Sequence, residues 1–426
     1  MLGLSIYLLI DEYDNFTNTI LSSEGNNVYR ALTHDSGFYR GFFNIVKAIT
    51  TGPEAPVKRM FITGVSPVTL DDVTSGFNIG TNITTDEQFN SMVGFSGSEL
   101  QEMLSYYESE GMLVNSKEEL VRLMKPWYDN YCFARKSLDD DRVFNCDMTL
   151  YYLRWQVDFH RAPEEMVDKN IRTDYSKLKM LARIDRDSVQ EGDRMSTIEK
   201  IAAEGDIFVD LHTSFPAERI TDIDNFRSLL YYYGLLTMCG TRGDLIKMSI
   251  PNNCVREQYF GFLRDYYQKY SSIDLHYLNV MLTDMAYDGR WKPFFESVAQ
   301  AYRENSAVRD AMEGERNLQG FLKAYLALAS YYLVEPELEM NYGYCDFFLL
   351  PDKKRYPDVK HSYILELKYA TRTATDAELE VQALEGRNQL LQYSEDKIVR
   401  CLSEGTTLHR LLLQFRGWDL VRCEEV

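Results

Sequence analysis

Gly343-Tyr344-Cys345-Asp346-Phe347-Phe348-Leu349-Leu350 and, a short way downstream, Tyr363-Ile364-Leu365-Glu366-Leu367-Lys368-Tyr369 decide the reading of this chain. Apolar and aromatic residues dominate both runs, and Pro351, Asp352 and Pro357 mark a turn between them, so the pair predicts two strands. Alternation along the second strand sends Glu366 and Lys368 to one side and Leu365 and Leu367 to the other. A carboxylate from one strand, a carboxylate from the next and an ammonium beside it make a minimal site for metal-dependent hydrolysis.

The residue types fit that chemistry. Phosphodiester hydrolysis needs a hard cation to polarise the phosphoryl oxygen and lower the pKa of an attacking water. Mg²⁺ prefers oxygen ligands and keeps several waters, so two carboxylates and one carbonyl suffice. Asp346 and Glu366 would supply the carboxylates and Leu367 the carbonyl, with Mn²⁺ as the alternative ion. Lys368 would hold the nucleophilic water and offset charge developing on the phosphate. Spacing alone also suits a plainer arrangement, in which Glu366 and Lys368 form a solvated pair and Asp346 merely ends a strand.

The flanks add to the pattern. Glu315-Arg316-Asn317-Leu318-Gln319-Gly320-Phe321-Leu322 opens an apolar helix expected to run through Tyr325, Leu328 and Tyr332. A second helix is expected from about Asp376 to Asp396, with Gln389 and Tyr393 one turn apart on one face. Helix, strands bearing Asp and Glu-x-Lys, then a helix with Gln-x-x-x-Tyr resembles the PD-(D/E)XK nuclease superfamily. The likeness is to the branch that follows an AAA-ATPase-like domain in bacterial proteins. It implies metal ligation by Asp346 and Glu366, water activation by Lys368, and supporting roles for Glu315, Gln389 and Tyr393. Cys345 precedes Asp346, so the Pro-Asp pair of the pattern is missing.

At the other end, Ser5-Ile6-Tyr7-Leu8-Leu9-Ile10-Asp11-Glu12-Tyr13-Asp14 is an apolar run ending in acids, the pattern of a buried strand with functional residues at its C-terminal edge. In P-loop NTPases an Asp at such an edge holds Mg²⁺ and an adjacent Glu activates water. Lys58 to Pro67 reads as another parallel-type strand, with Thr63 or Ser66 at its polar tip as γ-phosphate sensors. Asp11 to Asp14, Ile62 to Val68, Ser75-Gly76-Phe77-Asn78, Trp127-Tyr128-Asp129-Asn130-Tyr131, Val143-Phe144-Asn145 and Tyr231 to Leu236 together resemble the AAA-ATPase-like family, in its order. No G-x-x-x-x-G-K-[ST] occurs in the sequence, so no loop cradles a triphosphate. The expectation is an N-terminally truncated chain that does not hydrolyse ATP, with ATP a cofactor only of a full-length form and Asp11 and Glu12 vestiges of its site.

Composition narrows the class. With 426 residues, 45% hydrophobic and 26% charged, the chain can bury ample core in two or three domains. Its seven cysteines are scattered without a C-x-x-C pair, and its six histidines form no H-x-E or H-E-x-x-H cluster, which argues against disulfides and zinc. The first apolar stretch is too short to span a bilayer and lacks a basic flank, so no membrane association and a bacterial cytoplasmic location are expected.

The net charge of −19 sits awkwardly with a DNA partner, whose phosphates call for a basic face. Lys353, Lys354 and Arg355 in the turn, Lys360 and His361 across it, and Arg387, Lys397 and Arg400 on the next helix are the candidates for a patch beside the site; a solvated turn that blunts a sheet edge reads equally well. The acidic balance keeps a protein partner or homo-oligomer open.

The middle is expected to be helical. Leu100, Met103, Leu104 and Tyr107 form a helical stripe capped by Ser96 or Ser98, and Ser116-Lys117-Glu118-Glu119 resembles a capping box. Asp139 to Asp141 reads as a loop, Ile207 to Leu211 as a strand, Phe226 to Met238 as a buried helix, and Leu411 to Phe415 with Trp418 to Cys423 as a closing hairpin. The fold class expected is α/β: a partial P-loop-type parallel sheet at 1–95, a mainly helical extension at 96–300 and a restriction-endonuclease-like α/β domain at 301–426. The favoured function is Mg²⁺-dependent hydrolysis of DNA. The alternatives are a non-catalytic scaffold or interaction protein, and an ATP-dependent switch in the full-length form.

Overall fold

The computed structural model describes residues 6–16, 20, 26–34, 37–67, 80–140, 142–168, 178–179, 181–182, 191–216, 219–220, 222–268, 273–304, 314–340, 343–353 and 355–426. Val68, Ser75 to Asn78, Asp141 and Lys354 lie outside them. The chain divides into two compact units, Met1–Thr197 with Gly205–Arg256, and Ile198–Glu204 with Glu257–Val426.

In the first unit β1 (Ile6–Ile10) pairs in parallel with β2 (Val57–Ile62), and α1 (Asn26–Thr33) and α2 (Phe38–Thr50) lie between them in sequence. A small core of Tyr13 and Phe43, with Ile10, Tyr39 and Ile62 against it, fixes the strand ends. The expected stripe forms α3 (Gly97–Ser109), opened by a full capping box between Ser96 and Glu99. Ser116 caps α4 (Lys117–Tyr128) by accepting from the Glu119 N–H. β3 (Phe95–Ser96) and β4 (Val143–Phe144) form a short antiparallel pair, followed by α5 (Cys146–Phe159). Leu100, Leu104, Leu120, Met124, Trp127, Tyr128, Met148 and Tyr152 make the core of these helices. α6 (Glu191–Glu204) straddles the division in sequence, and β5 (Asp206–Val209) follows it.

One helix is shorter than expected. α7 (Ile223–Tyr232) stops where Gly234 takes φ 71°, and Thr237 and Met238 instead open β6 (Thr237–Arg242), which pairs with β7 (Leu245–Ser249). A left-handed glycine ends a helix without strain.

The second unit adds α8 (Asn253–Tyr267, of which Glu257 onward belongs here), α9 (Leu275–Asp288), α10 (Lys292–Glu304) and α11 (Glu315–Leu326). α11 does not reach Leu328 or Tyr332: Ala327 N–H closes it on the Lys323 carbonyl, and Tyr332 starts β8 (Tyr332–Met340). β8 pairs along its length with β9 (Gly343–Pro351), from Tyr332 opposite Pro351 to Met340 opposite Gly343. That long-range pairing outweighs the local helical spacing. β10 (His361–Ala370) pairs antiparallel with β9 and parallel with β11 (Thr407–Arg416), and β12 (Asp419–Glu425) returns beside β11. The sheet order is β12-β11-β10-β9-β8, so Pro336 falls in an edge strand, where its missing N–H is harmless.

The parallel β10–β11 step needs a crossover, made by α12 (Asp376–Glu395) and α13 (Lys397–Leu402). Leu379, Ala383, Gly386, Leu390 and Tyr393 form the buried face of α12, and Ala383, Leu390 and Tyr393 pack with Phe348, Ile364 and Leu412 of the sheet. The closing hairpin turns at Gly417 and Trp418, with Gly417 at φ 58°.

Candidate nuclease site

β9 and β10 pair through Phe347 opposite Leu365, where the ladder ends. Beyond that point, among the described residues, the Leu367 N–H has no backbone partner on β9. Asp346 takes it: Oδ2 accepts from Leu367 N at 2.7 Å, and Oδ1 accepts from Gln319 Nε2 of α11 at 3.0 Å. Because a strand residue directs its N–H and C=O to the same flank, the Leu367 carbonyl opens on the side of Asp346. Splayed strands thus leave a notch that a carboxylate fills.

Glu366 is buried, and its Oε1 accepts from Lys368 Nζ at 2.8 Å. Its Oε2 is buried with no hydrogen-bond partner among the described residues. Burial first, then Asp346, holds the Glu366 carboxyl above the usual carboxylate range, with Lys368 opposing. Asp346 is raised by burial too, against the Leu367 N–H, Lys368, Gln319 and Lys323. Glu315 lies on the exposed rim of α11 but is crowded enough that desolvation, and then Asp346, raise its carboxyl as well. Three acids therefore share one neighbourhood.

On the other flank, Gly386 lets α12 settle onto β10 and β11. A Cβ there would come within 2.7 Å of Leu412 Cδ1 and 3.4 Å of Lys368 Cε. Tyr393 is buried against the sheet, its hydroxyl pushed up to about 12 by burial, then by Glu366, Cys345 and Asp346, while the Gln389 amide opposes. Gln389 Oε1 is a second buried acceptor without a partner among the described residues. Asp346, Glu366, Lys368, Glu315, Gln389 and Tyr393 thus share one end of the sheet.

The donor set suits a hard divalent cation. Two carboxylates, one of them with an unsatisfied buried oxygen, face a notch with a backbone carbonyl, which matches oxygen coordination completed by water. Among the described residues no group of three His, Cys, Asp or Glu is close enough to hold a metal by itself. The set therefore resembles an open two-carboxylate site more than a closed cage.

The basic turn is not beside this site. Register places Pro351 and His361 at the opposite end of the hairpin, five residues from Glu366, or about 17 Å along the strand. There Lys353 Nζ donates to the Glu404 carbonyl at 2.9 Å. Arg387 is held by Glu424 at 2.8 Å. A strand hairpin separates its turn from its open end, and the site occupies the open end.

The N-terminal edge is built differently. Asp11 and Thr63 follow the paired ends of β1 and β2, and the Thr63 hydroxyl donates to Asp11 Oδ1. Glu12, at φ 48°, directs its N–H to Asp11 Oδ1 at 3.1 Å, and Glu12 Oε2 accepts from Asn15 Nδ2 at 3.0 Å. Ser66 is buried, and its N–H goes to Asp14, which also accepts from Val65 N at 3.0 Å. Trp127 to Tyr131 and Val143 to Asn145 meet elsewhere, through a Tyr131–Val143 bridge and the Asn145 N–H on the Tyr128 carbonyl at 2.8 Å.

Sequence reasoning missed Gln319, Lys323 and Gly386. The first two follow Glu315 at four-residue steps, a signal available once that helix is drawn. Gly386 carried no local signal.

Among the described residues no helix is long and apolar enough to cross a membrane. A search of curated proteins and of solved structures found no match. Against family models, residues 313–425 match the PD-(D/E)XK nuclease superfamily and residues 1–74 match a predicted AAA-ATPase. The chain therefore carries an AAA-ATPase-like domain and, behind it, a PD-(D/E)XK nuclease superfamily domain.

Proposed function

We propose that the C-terminal domain hydrolyses phosphodiester bonds of DNA with Mg²⁺ or Mn²⁺ held by Asp346, Glu366 and the Leu367 carbonyl. The observation that carries this reading is Glu366 Oε2, a buried carboxylate oxygen without a partner among the described residues, near a second, half-buried carboxylate, Asp346. A bound divalent cation would supply Lewis-acid polarisation of the phosphate and a more acidic water. The protein's own groups do the rest. Gln319 and the Leu367 N–H fix the Asp346 carboxylate, Lys368 stands against Glu366 to orient water and offset phosphate charge, and Glu315 contributes negative charge at the rim. Gln389 and Tyr393 brace the wall behind the carboxylates.

Asp11, Glu12, Thr63 and Ser66 belong, on this reading, to the edge of a nucleotide site that does not turn over ATP, since the sequence contains no G-x-x-x-x-G-K-[ST] loop. The division we propose is residues 1–95, 96–300 and 301–426, with cleavage confined to the last and a cytoplasmic location. A second reading, a non-catalytic scaffold or protein-binding role, is favoured by the net charge of −19.

The test is cleavage of mixed single- and double-stranded DNA with Mg²⁺ or Mn²⁺, alongside Glu366→Ala and Lys368→Ala. Activity in the parent that disappears in both variants supports hydrolysis at this site. Metal binding by the parent without cleavage of any DNA would favour the scaffold reading.

A further inference from the structure

At the turn end of the C-terminal sheet, away from the carboxylates, three side chains form a row. His361 opens β10, and its Nδ1 lies 2.8 Å from Nε2 of His409 on β11. The other ring nitrogen of His409, Nδ1, lies 2.7 Å from Glu425 Oε1 on β12, and Glu425 Oε2 accepts from Trp291 Nε1 at 3.3 Å. Both rings are seated. Tyr363 stacks on His409 with ring centres 4.8 Å and planes 16° apart, and its hydroxyl donates to the Met285 carbonyl of α9 at 2.6 Å. His361 rests on Gly289, the left-handed cap of α9, where a Cβ would come within 2.8 Å of its Cε1. The row therefore joins three strands to the corner between α9 and α10.

Only one proton fits between the facing nitrogens. A neutral imidazole has one N–H and one lone pair, whereas an imidazolium has two N–H groups. With His409 Nδ1–H turned to Glu425, its Nε2 lone pair accepts from His361 Nδ1–H, and both contacts are made with His361 neutral or charged. Charging both rings puts an N–H on each side of the 2.8 Å contact, so the second proton parts them. Lys360 and Tyr363 of the β10 region, Glu425 of β12 and Asp288 at the end of α9 face the pair, and Asp288 is held by Arg290 at 2.8 Å. Burial and then His409 keep His361 below the usual histidine range; Lys360 adds to them, while the Tyr287 backbone and Asp288 oppose.

We propose that His361 and His409 form a pH-sensitive clasp: sharing one proton, the pair fastens the start of β10 to the corner between α9 and α10, and charging both rings releases it. The unfolded chain takes up both protons near the ordinary histidine value of about 6.5. The clasped fold takes up one. Below that pH the unfolded state binds more protons, so the clasp's contribution is present at neutral pH and is lost as pH falls.

The experiment is a titration of the full chain from about pH 8 to about pH 5, spanning the histidine range. Histidine ring NMR and backbone hydrogen exchange, corrected for intrinsic rates, are followed on the parent, His361→Gln and His409→Gln. Each variant assigns one ring signal and leaves one imidazole that can charge alone. In the parent the pair should titrate in two steps, the second proton bound at least about tenfold more weakly than the first. With that second step, protection at the start of β10 should fall about tenfold, and both folded variants should lack this loss. An acid-linked loss that persists in either folded variant overturns the clasp. Should neither variant fold, the parent decides alone: all six histidines titrating singly near the usual value, or a second step without loss of protection in β10, overturns it as well.

Discussion

Asp11 and Glu366 both stand toward the C-terminal ends of strands in parallel pairs, yet the oxygens of their two sites meet opposite fates. At the N-terminal edge Asp11 and Glu12 are exposed and already engaged by Thr63, Asn15 and backbone N–H groups. In the C-terminal sheet Glu366 is buried, faces Asp346, and keeps one oxygen without a partner. A buried polar atom left unsatisfied costs roughly 1–3 kcal/mol, more when charged. A fold retains such a group where something else completes it. The strand-end acid pattern is shared; the unmet demand for a ligand is not.

The sharpest way to break this contrast is a paired substitution. Glu366→Ala should weaken Mn²⁺ binding more than about a hundredfold, beyond what outer partners of a metal site contribute. Asp11→Ala should leave that binding within about twofold. Equal losses in the two variants would erase the distinction between the sites.

Asp14 offers the next largest effect. It lies three residues beyond Asp11 but is buried and accepts the N–H groups of Val65 and Ser66. Asp14→Ala leaves both donors without that carboxylate and should cost about 2–4 kcal/mol in denaturant unfolding, without altering metal binding by the other domain. A loss below about 0.5 kcal/mol would mean that Asp14 does not clamp this edge.

Legibility followed the same line. The strands around Asp346 and Glu366 and the helix bearing Gln389 and Tyr393 were readable because period-two and period-3.6 patterns are local. Tyr332 misled because an apolar residue at helical spacing is also a good strand opener, and only β9 decides between them. The misplaced basic turn was an error of register: nearness along the chain stood in for nearness along a strand. Gly386 could not be read as a site residue, since it matters through what would collide with its missing side chain.

Glu199 sharpens the comparison as a counterexample. It is buried, with one oxygen on the Tyr267 hydroxyl at 2.8 Å and the other without a partner among the described residues, but there burial and Tyr267, not a second carboxylate, set its charge. Burial, with Tyr267 opposing, raises its carboxyl from 4.5 to about 7. Between those values the folded protein keeps a proton that the unfolded chain has released, so this group makes stability fall as pH rises. Glu199→Gln should therefore stabilise the protein at about pH 8 relative to pH 4, by up to about 3 kcal/mol, in thermal unfolding across that range. Added Mn²⁺ should not reproduce the gain. A pH-independent effect would show that Glu199 is not protonated in the fold.

The smallest effect on stability belongs to Gly386, and it separates packing from chemistry. Alanine improves helix propensity by up to about 1 kcal/mol. Against that, its Cβ would sit 2.7 Å from Leu412 Cδ1 and 3.4 Å from Lys368 Cε in a close-packed layer. The Leu412 terminus can rotate away, so the two effects nearly cancel and unfolding should shift by less than about 1 kcal/mol. Lys368 has less freedom, because its ammonium is tied to Glu366 at 2.8 Å while its stem is pressed by the new methyl. The cost should appear in turnover, about tenfold in kcat, with Mn²⁺ affinity nearly unchanged, since misplacement of a charged group by a fraction of an ångström is felt where charge develops. If Gly386→Ala cleaves DNA as fast as the parent, the placement of Lys368 is not what the glycine protects, and the close approach of α12 serves packing alone.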